Sequence, residues 1–358
     1  MTMMKSAFNL STGADTGGAA IREVEAFHIA GKASGWSVHS MVCGYNYIHY
    51  PEDIRFNMGV LHNLYDAADV MHLNHTLHGY KWYDHGQGKP VVLEHHGLHK
   101  GSFDVDFEAS IADAKELGAI QIGSTANLEL FGPITWVPIA YSLDWLQAIR
   151  ASQQPQPLDG ELRPIIIAHA PTNRAIKSTQ VFLSACSSLK ARGFNIEMLL
   201  IERLPHLECL RLKARADILV DQLQLGYGCN AIEAWGMGIP VVGGISDPAW
   251  RAHMVRRWGR MPMAEASEET LEAVLARLIK SPAMRKDYTA LGQAQFDQWH
   301  TPQAHVASMS GIYEEALTHP SKPNLDLLNR FTGFNHDQRL RLLQENRKLQ
   351  AARERGDQ

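Results

Sequence analysis

Two short stretches of the chain hold residue types that could bind phosphate. In HAPTNRAIKST, residues 169–179, Arg174 and Lys177 stand three apart at the start of a helix that follows the strand PIIIAHA. A helix start carries partial positive charge and disfavours cations. Cations placed there fit best with a diphosphate approaching the same helix end. The second stretch is GYGCNAIEAWGMGIP at 226–240, after the strand DILVDQ. Gly226, Tyr227, Gly228 and Cys229 lead into a helix, so their backbone N–H groups and the helix dipole suit an anion. Glu233 falls on the first turns of that helix, facing cleft or solvent, where a carboxylate can accept hydrogen bonds from sugar hydroxyls. Gly238 and Pro240 end the helix. Taken alone, the glycines fit a plain tight turn equally well.

Other constellations read more simply. Of 18 histidines, 11 fall in the first 100 residues, with His72 and His75 three apart and His95, His96 and His99 clustered after one strand. Zinc needs about four ligands in tetrahedral reach, and no thiolate or paired acid completes such a set, so no metal site is expected. These histidines read as polar residues in a cleft wall. FDVDFE at 103–108 holds a D-x-D, but Asp104 and Asp106 precede a helical stretch and read as helix caps. RAHMVRRWGR at 251–260 reads as a solvated basic helix face. Cys43, Cys186, Cys209 and Cys229 are widely spaced and suggest neither zinc nor disulfides.

The elements that must position these residues alternate between strand and helix. Strands are expected at KSAFNL, WSVHSMVC, DVMHLNH, PVVLEHH, AIQIGS and TWVPIA, with helices such as AAIREVEAFHIAGKAS and EDIRFNMGVLHNLYDAA between them. That alternation gives a parallel sheet covered on both faces. The polar, proline-containing stretch at 151–163 reads as a linker. The pattern then restarts with PIIIAHA, NIEMLLIE, DILVDQ and PVVGG. Helices follow at SEETLEAVLARLIK, where Ser267 is the expected N-cap, and through AHVASMSGIYEEAL. The fold class is therefore α/β, with two doubly wound Rossmann-like domains facing across a cleft. The expected limits are 1–150, a linker at 151–163, a second domain at 164–317 and a helical tail at 318–358 that could pair with another chain.

At 358 residues the chain exceeds one ordinary core, and 45% hydrophobic with 20% charged residues describes a globular protein. No apolar run approaches the ~20 residues of a membrane helix. The first residues read as a strand leading to a glycine loop and not as a signal peptide, so a cytoplasmic location is expected. Residues 1–150 hold 9 Lys plus Arg against 16 Asp plus Glu, net −7, while 151–358 hold 25 against 22, net +3. A negatively charged ligand therefore suits the second half. The acidic first half argues against DNA backbone or an anionic membrane as its main partner.

From Ile165 to Val242 the chain resembles the donor-binding domain of GT-B glycosyltransferases, in particular the glycogen-synthase-like class that includes family 4. HAPTNRAIKST resembles that class's Arg and Lys pair, and ADILVDQLQLGYGCNAIEAWGMGIPVV its glycine turn, acidic helix and G-x-P-V ending. In the first half, ADTGGAA at 14–20 resembles the glycine loop after the first strand, and EHHG at 94–97 the central loop. The resemblance implies a transferase that moves a sugar from a nucleoside-diphosphate sugar, with a UDP-sugar favoured, retention of configuration and no bound metal or other cofactor. Arg174 and Lys177 would neutralise the departing diphosphate, supported by the amides of Gly226, Tyr227, Gly228 and Cys229. Glu233 would bind the ribose, and Gly17 and Gly18 would let backbone approach the donor. His96 would stand near the reacting centre. The implied acceptor is a glycan or lipid-linked saccharide, with a modified nucleic acid base as the alternative. The resemblance departs at Leu225, where the family has a glutamate that touches the transferred sugar; Asp221 or Gln222 could reach in from the preceding strand end. Two other classes compete. Leu225 suits a noncatalytic nucleotide-sugar or glycan-binding module, and paired Rossmann-like units suit a dehydrogenase, although no G-x-G-x-x-G follows either opening strand.

Overall fold

A computed structural model describes residues 4–11, 16–44, 50–77, 88–96, 107–153, 163–322 and Leu327. The first sheet comprises β1 (Lys5–Ser11), β2 (Trp36–Val42), β3 (Val70–Asn74), β4 (Val91–His95), β5 (Ile120–Gly123) and β6 (Ile134–Trp136), in the order β2-β1-β3-β4-β5-β6. Every pairing in it is parallel. Helices α1 (Ala19–Ala30), α2 (Met58–Ala67), α3 (Phe107–Leu117) and α4 (Leu143–Gln153) belong to the first half of the sequence. The two strand faces differ because side chains alternate. Phe8, Leu10, Met71, Leu73 and Leu93 pack with Leu61 and Tyr65 of α2 and Leu117 of α3. Ala7, Val70, Val92 and Ile122 pack with Phe27 of α1.

The second sheet restarts the scheme with β7 (Ile165–His169), α5 (Thr179–Ala191), β8 (Ile196–Leu200), α6 (His206–Lys213), β9 (Ile218–Val220), β10 (Leu225–Gly226), α7 (Cys229–Gly236) and β11 (Val241–Ile245). Then come α8 (Pro248–Trp258), β12 (Ala264–Glu265), α9 (Leu271–Lys280), α10 (Pro282–Trp299) and α11 (Pro302–Leu317). The strand order is β10-β11-β9-β7-β8, with β12 beside β11. The pairing of β10 with β11 is antiparallel, and the others are parallel.

Several expected boundaries move. The helix expected from Glu52 starts at Met58, because the Asn57 side chain accepts from the N–H groups of Gly59 and Val60 at 2.9 and 3.2 Å. Ser267 is not the N-cap of α9: its N–H donates to Thr270 Oγ1 at 2.8 Å, and the helix begins after Thr270. Leu146 and Ile149 of α4 pack with Leu210 of α6 and Trp235 of α7, so the helix that crosses position 150 lies on the second sheet. Conversely, Val306, Met309 and Tyr313 of α11 complete the core of the first sheet, so 302–317 packs with the N-terminal half. The chain thus crosses between the halves twice. Residues 154–162 of the expected linker, Asp104 and Asp106, and the tail helix expected from His336 lie outside the described residues. Among the described residues no helix is long and apolar enough to cross a membrane.

Candidate active site

In the second sheet β7 lies between β8 and β9, so successive connections leave it on opposite sides. Such a switch point opens a crevice beyond the carboxyl ends of the two central strands. The loop after β7 carries Lys177 into that crevice, and the loop after β9 brings Asp221 and Gln222 to meet it. Lys177 Nζ donates to Asp221 Oδ1 at 2.9 Å and to Gln222 Oε1 at 2.7 Å. Asp221 Oδ2 accepts the N–H of Gly228, the residue before α7, at 2.8 Å. The Gln222 amide donates to the Leu225 carbonyl at 3.2 Å, which fixes its orientation. A carboxylate therefore occupies the junction of an ammonium and a helix N-terminus, which is the arrangement an anion site requires.

The other expected donor-site residues are placed differently. Arg174 does not join Lys177. Its exposed guanidinium makes a two-pronged pair with Glu202, which follows β8, at 2.8 and 2.5 Å. Gly226 has φ 76°, a left-handed conformation that favours glycine, and lies in β10 opposite Gly244. Tyr227 contributes only backbone to the turn, because its ring is buried against Trp235 and Trp258.

Glu233 corrects the expectation of a carboxylate facing cleft or solvent. It is buried, with Oε1 2.8 Å from His206 Nε2 and Oε2 bound to Lys213 Nζ. Lys213 also donates to Asn230 Oδ1 at 2.6 Å. Burial alone would raise the Glu233 pKa, but Lys213 and His206 outweigh it and hold the carboxyl well below the usual range. Lys213 and His206 are residues the sequence reading missed, and one signal was present. Lys213 stands three after the buried Leu210, on the same helix face, where an unpaired ammonium would be costly.

Across the crevice, Gly17 and Gly18 form a short turn before α1 with φ 68° and 71°. A Cβ on Gly17 would lie 2.6 Å from Cys229 Sγ, and one on Gly18 2.9 Å from the Tyr50 ring. The Cys229 thiol, whose pKa burial pushes up to about 11, donates to the Gly17 carbonyl at 3.8 Å. The two halves thus touch at the first turn of α7. Beside this contact Arg22 is buried over the rings of Tyr50, Tyr141 and Trp145, with Nη2 3.3 Å from His206 Nδ1. The basic stretch at 251–260 is likewise not a solvated face alone: His253 and Arg257 of α8 pair with Glu129 from the first half at 3.0 and 2.6 Å.

His96 belongs to a buried polar ladder at the carboxyl ends of β1, β3 and β4. His72 Nδ1 lies 3.0 Å from Glu23 Oε2 and its Nε2 3.2 Å from Glu94 Oε2. Asn9 and Tyr313 also donate to Glu23. Burial would lower the His72 pKa, but the two carboxylates raise it to about 10. His96 ends the ladder with Nε2 2.8 Å from Asn74 Oδ1 and Nδ1 3.7 Å from Glu94 Oε1. Burial and the imidazoles of His75, His72 and His95 hold it well below the usual histidine pKa. Its side chain is buried in the structure. Among the described residues no cluster of His, Cys, Asp and Glu is placed to hold a metal ion.

Two such sheets closing on a crevice resemble several solved structures. A sucrose-phosphate synthase from Thermosynechococcus elongatus is 12% identical over 88% of this chain and 99% of its own, with a TM-score of 0.59. An alpha-glucosyltransferase solved with UDP and a 13-mer DNA containing a HMU base is 10% identical over 86% and 99%, TM-score 0.59. HepE from Anabaena, solved with UDP and glucose, is 12% identical over 88% and 99%, TM-score 0.55. The fold is GT-B. At this level of identity the likeness to GT-B proteins shows the fold alone. No family model matches the chain, and no curated sequence matches it.

Proposed function

We propose that the protein transfers a sugar from a nucleoside-diphosphate sugar, a UDP-sugar being favoured, to an acceptor held by the N-terminal half. One observation carries the reading: Lys177 and the Gly228 N–H at the head of α7 converge on a single anion, Asp221, at the switch point of the second sheet. Preorganised positive charge there would stabilise a diphosphate as it leaves the anomeric carbon, the step at which negative charge grows. Two of the similar structures were solved with UDP, which supports that donor class. Arg174 would join by exchanging Glu202 for phosphate. Retention, independence from a metal and a glycan or lipid-linked saccharide acceptor are further parts of the proposal. A nucleic acid base is the alternative acceptor, supported by the DNA in one similar structure.

Leu225 and the internally paired Glu233 favour a second reading, a noncatalytic nucleotide-sugar-binding protein. Release of nucleoside diphosphate from a panel of nucleotide sugars separates the two. The transferase reading expects release that Lys177→Ala lowers at least tenfold. Binding without release from any donor, with or without candidate acceptors, supports the second reading.

A further inference from the structure

We propose that Asp221 is an internal competitor for the diphosphate and sets the affinity of the donor site. This rests on the reading that Lys177 and the head of α7 receive that diphosphate. An ammonium has three N–H donors, and Asp221 and Gln222 take two of those on Lys177. Asp221 also takes the Gly228 N–H. One buried carboxylate therefore holds both groups that a phosphate oxygen would use. It is also a fixed negative charge beside the phosphates when they bind. Gly228 leaves the approach open: a Cβ there would sit 3.6 Å from Lys177 Nζ and 3.7 Å from Asp221 Oδ2, covering both.

Removal of a full charge at this range outweighs the loss of one ion-pair anchor, because Gln222 still holds Lys177. A buried residue of purely structural value would weaken every ligand when replaced. Asp221 acts in the opposite sense: its replacement tightens phosphorylated ligands and accelerates nothing in their release. The carboxylate thereby keeps the spent nucleoside diphosphate from lingering in the site.

The test is calorimetric titration of the full chain with uridine, UMP and UDP, and with the guanosine and adenosine series. Asp221→Asn is expected to tighten the best-bound nucleoside diphosphate about tenfold or more, its monophosphate less, and the bare nucleoside not at all. The gain should shrink in high salt. Asp221→Ser, which likewise removes the charge, should follow the same order and covers a failure of the first variant to fold. Equal or weaker diphosphate binding in the folded variants, while Lys177→Ala weakens the native site, overturns this inference alone. If the native protein binds none of these diphosphates, the donor reading falls and this inference with it.

Discussion

Replacing Glu233 with glutamine separates two roles for that carboxylate. In the structure its oxygens serve Lys213 and His206, and Lys213 is wholly buried. Glu233→Gln removes the charge opposite that ammonium and leaves it neutral amide acceptors only, such as Asn230. Breaking one side of a buried ion pair costs about 3–5 kcal/mol. For a domain of this size each kcal/mol lowers Tm by roughly 2–4 °C, so a fall of roughly 10 °C is expected by scanning calorimetry. Lys213→Met alone should cost less, because His206 remains for Glu233. Adding Lys213→Met to Glu233→Gln should restore part of the loss, a positive coupling in a double-mutant cycle. If Glu233→Gln left Tm unchanged while abolishing nucleoside binding, the internal pairing would be refuted and the carboxylate would be a ribose ligand.

Two further outcomes follow from the same geometry. Gly17→Ala places a side chain at φ 68° and 2.6 Å from Cys229 Sγ, for a combined cost of about 2–4 kcal/mol. Adding Cys229→Ala should recover the overlap share, and denaturant unfolding that shows no recovery would contradict the contact between the halves. His72 has its pKa raised from 6.5 to about 10, so its contribution to stability is complete below pH 6.5 and declines as pH rises towards 10. Glu23, whose burial is outweighed by His72, is held at about 2, so its share is present above pH 4.5 and declines as pH falls towards 2. Native Tm should therefore fall above pH 6.5 more steeply than that of His72→Gln, and parallel slopes would remove the His72 ion pairs from the account.

Much of the architecture was legible because strand and helix periods differ. The ten strands read from apolar runs all lie in the sheets, while β10 and β12 carry only two residues each, too short for a period. Crossings of the chain between halves were not legible. Nothing in Leu146 or Tyr313 says which of two similar sheets it will cover. Lys177 and the glycine turn were readable from charge and backbone freedom near a helix start. Their partners were harder to see. Glu23 sits between Ala19 and Phe27 on the buried stripe of α1, and Asn9, His72 and Glu94 occupy inward strand positions. Polar residues in apolar registers were the available sign of the ladder. Glu202 and Asp221 belong to loops whose meeting depends on strand order, which local pattern does not contain.

The central claim is that a nucleoside diphosphate lodges between Lys177 and the head of α7. A crystal structure of the protein with UDP, or with whichever diphosphate binds best, tests it directly. Phosphate oxygens are expected within hydrogen-bonding distance of Lys177 Nζ and the Gly228 N–H. A nucleotide bound elsewhere, with the Lys177 and Asp221 pair undisturbed, would contradict it.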